Sequence, residues 1–68
     1  MSPPTLRPLG DDDVLVECGS PSAVVALAHG LAASPPAWLL ETVPAARTLR
    51  LRLARNAPRG ADLAACLD

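Results

Sequence analysis

The 68-residue chain contains no Phe and no Tyr, and Trp38 is its only aromatic residue. A core built without them must come from Leu, Val and Ala, which bury less area per side chain. Lysine is absent too, so every basic residue is Arg. The formal net charge is −1, which gives no electrostatic reason to expect nucleic acid or an anionic membrane as a partner. No apolar run approaches the length of a secretory signal or a bilayer span, so the expected location is cytoplasmic, without membrane contact. The two cysteines, Cys18 and Cys66, fit small core hydrophobes better than a disulfide in a reducing compartment. No glycine-rich phosphate loop, metal-spaced Cys/His set or spaced Ser-His-Asp set occurs. The residues themselves therefore indicate no catalytic mechanism, no metal site and no cofactor.

Half of the residues are hydrophobic. A chain this short is one domain at most and buries only about 60% of the surface exposed when unfolded. Its core seldom supplies more than about 3–5 kcal/mol. Residues 1–12 carry Pro3, Pro4 and Pro8 and read as an extended segment leading to a single domain over 13–68. DVLVEC, residues 13–18, alternates as a strand with Val14, Val16 and Cys18 on one face. Ser20 and Pro21 then suit an N-cap and a first helical position. Val24, Leu27, Ala28 and Leu31 form one apolar stripe, with His29 away from it, and Ser34-Pro35-Pro36 stops the helix. Residues 39–43 give a second strand, ended by Pro44.

The clearest alternation is RTLRLRL, residues 47–53. It puts Leu49, Leu51 and Leu53 on a buried face and Thr48, Arg50 and Arg52 on the other. A second helix is expected after Pro58, with Leu63, Cys66 and Leu67 as its stripe. The order β-α-β-β-α predicts an α+β, ferredoxin-like fold with its fourth strand missing and sheet order 1-3-2. Residues 13–18 would then be an unpaired edge, and unpaired edges recruit strands. A homo-oligomer through that edge, or through an exposed apolar sheet face, is the expectation.

Candidate functional residues are few. Asp11, Asp12 and Asp13 cannot all converge on one cation and read as a solvated loop entering a strand. His29 has no spaced partner for general-base work. Cys18 lies close before a helix start, but its alternation puts it in the core. Arg47, Arg50 and Arg52 could grip a carboxylate or phosphate, or form cross-strand pairs with Glu17 or Glu41.

Two stretches resemble a family. RPLGDDDVLVECG, residues 7–19, is similar to the opening motif of the KipI-like proteins, PLGDxALLVEFG. ETVPAARTLRLRL, residues 41–53, is similar to their second motif, VxxVPAxRSLLVRF. Cys18 and Leu53 stand where those motifs have Phe. The family includes the B-type component of 5-oxoprolinase, allophanate hydrolase subunit 1 and a sporulation-kinase inhibitor. The resemblance implies an N-terminal α+β domain without the cyclophilin-like C-terminal domain. It makes Gly10, Asp11, Gly19 and Pro44 structural motif positions and Arg47 the partner-facing position that matches the motif. It further implies a scaffold or docking role in a C–N bond hydrolase, beside a KipA-like (5-oxoprolinase C-type) subunit. ATP would belong to the full complex only. The alternative it carries is a regulatory module that docks a sensor histidine kinase.

Overall fold

The computed structural model describes residues 5–67. Its elements are β1 (Thr5–Pro8), β2 (Asp13–Glu17), α1 (Pro21–Ala33), β3 (Leu39–Pro44), β4 (Thr48–Leu53) and α2 (Gly60–Leu67). They form one four-stranded sheet of order β1-β2-β4-β3. All neighbouring strands are antiparallel.

The split β-α-β arrangement is present: β2 and β3 flank β4 and are joined through α1. The expectation of a three-stranded sheet with its fourth strand missing is overturned: four strands are present. The position beside β2 is filled by β1, which comes from the proline-rich N-terminal segment. Thr5 pairs with Glu17, Leu6 with Val16, Arg7 with Leu15 and Pro8 with Val14. The residues expected to form a free edge are therefore paired on both sides, and the open edges of the sheet are β1 and β3.

Prolines fit in these edge strands because of where their nitrogens point. Leu9 N–H donates to the Asp13 carbonyl at 2.8 Å. Antiparallel pairs alternate between bonded and non-bonded, so Arg7 and Leu15 form the next bonded pair. Pro8, between them, turns its nitrogen away from β2. On the other edge, Ala45 N–H donates to the Thr48 carbonyl at 2.9 Å. Val43 and Arg50 are the next bonded pair, and Pro44 turns its nitrogen outward. Neither proline costs a ladder bond.

α1 begins as its sequence implies. Ser20 is the N-cap, its hydroxyl accepting from Ala23 N–H at 3.2 Å, and Pro21 opens the helix. Two glycines permit the turns around β2: Gly10 has φ +139 and Gly19 has φ +86. Side chains other than glycine are strained there, at a cost of about 1–2 kcal/mol in the left-handed region. Both helices lie on one face of the sheet. Val24 and Leu31 of α1 and Leu63 and Leu67 of α2 join Val14, Val16, Leu49, Leu51 and Leu53 in a single core. Leu49 and Leu51 are completely buried, as the leucine-arginine alternation requires. The second helix's stripe is narrower than expected: Cys66 is exposed, and only Leu63 and Leu67, one turn apart, reach the core.

Candidate functional site: the uncovered sheet face

A strand that buries every second side chain presents the others on the opposite face. No described element covers that face. Its side chains form rows fixed by register. The middle row runs Arg7, Leu15, Arg50, Val43. One flanking row runs Thr5, Glu17, Thr48; the other holds Asp13, Arg52 and Glu41. Leu9 continues this last row through its bond to Asp13. Three guanidiniums and three carboxylates thus share the surface with Leu9, Leu15 and Val43. Leu9 and Val43 are about half exposed, at 50% and 46%.

The charges are partly matched within the chain. Arg50 Nη2 lies 3.2 Å from Asp13 Oδ2, and Arg7 pairs with Glu17. Off the sheet, Arg59 approaches Asp12 at 3.5 Å. Arg50 and Leu15 form a non-bonded pair, the closer type in an antiparallel ladder, and Arg50 reaches diagonally from there to Asp13. Asp13 Oδ1 is covered and accepts no hydrogen bond in the described structure.

The three arginines expected to face a partner are all exposed, in different settings. Arg50 is engaged with Asp13. Arg52, directly opposite Asp13 and Glu41, takes part in no ion pair among the described residues. Arg47 stands in the β3–β4 turn, where its carbonyl accepts from Cys18 N–H at 2.9 Å; its side chain makes no ion pair among the described residues. Neither Glu17 nor Glu41 is the partner of any of the three. Asp13 and Arg7 are the residues that sequence reasoning missed. Asp13 was hidden in an acidic triplet, although its place at the head of an alternating strand marks it as facing opposite to Val14. Arg7 was hidden by its flanking prolines.

Asp11 is exposed and makes no side-chain hydrogen bond or ion pair among the described residues. His29 is exposed on α1. Cys18 is half-buried against the core, and its thiol donates to the Val16 carbonyl at 3.7 Å. Burial pushes its pKa up, the opposite of what an activated nucleophile needs. The cysteines are unpaired. Among the described residues, no three His, Cys, Asp or Glu side chains converge as ion ligands, and no helix is long and apolar enough to cross a membrane. A shallow cleft of about 200 Å³ lies between Leu31, Ala32 and Pro35 on one side and residues 39–42 on the other.

No family model, curated protein or solved structure matches the chain.

Proposed function

We propose that this chain is a cytoplasmic scaffold and docking domain, the N-terminal domain of a KipI-like subunit of a C–N bond hydrolase of the 5-oxoprolinase or allophanate-hydrolase type. In this reading, hydrolysis of the cyclic amide or ureido bond, and any use of ATP, belong to the assembled complex. The task of the domain is to present a guanidinium-bearing face to a KipA-like subunit. The observation that carries the reading is the uncovered face of β4: Arg50 and Arg52 project from a strand whose leucines anchor it mid-sheet, with Arg47 at its entry. Guanidiniums grouped on one face suit carboxylates on a partner, which they bind as two-pronged donors. The backbone also gives two of the motif letters a physical reason, since Gly10 and Gly19 both have positive φ.

The test compares how tightly the intact chain, Arg47→Ala and Arg50→Ala/Arg52→Ala each capture a KipA-like subunit. At least one variant should lose about tenfold or more in affinity, the loss expected when a charge-assisted contact is removed. Undiminished capture with both would reduce the arginines to solvated surface. Capture of a sensor histidine kinase in place of the KipA-like subunit would favour the regulatory reading.

A further inference from the structure

The uncovered face is self-complementary in charge, and we propose that it is the interface of a homodimer in which two sheets pack face to face. The inference rests on register and charge alone and stands apart from the family reading. Two symmetry choices exist for stacking this sheet on a copy of itself with strands aligned. With the two-fold axis across the strands, the middle row lies on itself, so Arg50 meets Arg50 and Asp13 meets Glu17. Three like-charge pairs then oppose each other, Arg7 on Arg7, Arg50 on Arg50 and Asp13 on Glu17, and no opposite-charge pair offsets them. With the axis along the strands, between β2 and β4, each residue of β2 lies over its β4 partner in the other copy.

This second arrangement sets Asp13 against Arg52 of the second copy, and Arg52 against the second copy's Asp13. Leu15 lies on the Arg50 stem, and Val43 covers the stem of Arg7. Arg52 has no ion-pair partner among the described residues, and Val43 is half exposed. Asp13 gives Oδ2 to Arg50 and its Oδ1 is covered, so the second copy's Arg52 would share Oδ2. The sheet edges are poorer candidates. Pro8 and Pro44 point their nitrogens outward, and a register shift between Leu39 and Glu41 interrupts the β3 edge, three devices that hinder strand addition. Four strands of about five residues span only about 15–20 Å in each direction. That is below the size of a standard stable interface, so the dimer is a weak one, seen at high protein concentration.

A charge exchange tests it. In sedimentation at about 500 µM, a concentration suited to a small interface, the unaltered chain should contain dimer. Arg52→Glu opposes two carboxylates across the axis, and Asp13→Arg opposes two guanidiniums. Each variant alone should be about tenfold or more weaker in self-association, and an equimolar mixture should recover the dimer as a heterodimer, because every pair is then of opposite sign. Val43→Lys sits at an exposed position beside Arg7 of the second copy and should weaken the dimer similarly. It serves as the readout if either charge variant does not fold. A monomeric unaltered chain at that concentration, folded variants that remain dimeric, or a mixture that stays monomeric would each overturn the proposal. Both readings use the Arg50 and Arg52 face, so the weak dimer must open before that face can receive a KipA-like subunit; a monomer would leave the docking reading standing, and failed capture of a KipA-like subunit would leave the dimer standing.

Discussion

At the residue scale, a few leucines carry most of the stability. Leu51 is fully buried in the central strand β4, between Val14 and Thr42 in register. Leu51→Ala removes that packing and leaves a cavity, at a cost of about 2–5 kcal/mol. A core of this size supplies only about 3–5 kcal/mol. The variant should therefore be largely unfolded at 25 °C, seen as lost cooperativity in urea by circular dichroism; a native-like transition would contradict the packing. The two thiols should separate chemically. Exposed Cys66 should be alkylated about tenfold or more faster than Cys18 at pH 8, with the difference gone in denaturant. The raised pKa of Cys18 also has a sign. The folded chain holds that proton more tightly than the unfolded chain, so its contribution is full below the ordinary thiol value of 9.0. It is lost as pH climbs through the folded value. Stability should fall on the alkaline side of 9.0, and less so in Cys18→Ala. Which side chains are buried was legible in the period-two spacing. Which acid Arg50 would choose was not, because a diagonal contact depends on register across two strands, and register is a tertiary fact.

At the element scale, β2, α1, β3 and β4 could be read from local chemistry: alternation, the Ser20-Pro21 start, and the prolines that stop α1 and β3. β1 could not. Its four residues include a proline, and proline counts against strand unless its nitrogen faces solvent. That orientation follows only from the pairing with β2. The same prolines make a prediction for the edges. Restoring the missing donors with Pro8→Val/Pro44→Val should increase self-association or fibril formation, measured by light scattering and thioflavin fluorescence. Unchanged behaviour would mean that the edges are guarded by something else, such as the register shift in β3. Cys66 shows the limit of helical spacing: in an eight-residue helix only positions one full turn apart point reliably at the sheet.

At the scale of the whole molecule, the sheet has a covered side and an uncovered side. Among the described residues, the covered side holds the large side chains that are fully buried, and the uncovered side holds six charges and three apolar residues. The sequence pattern indicated a charged face but assigned the free edge to the wrong strand. The N-terminal segment, set aside as extended, completes the sheet.

That completion has a consequence for how the chain comes together. β1 and β2 are separated by only residues 9–12, so their ribbon closes a short loop, on the scale of about 1–10 μs for a hairpin. In the folded chain the berth beside β2 is held by Thr5–Pro8. Any later strand seeking that berth, from this molecule or another, must evict the present tenant.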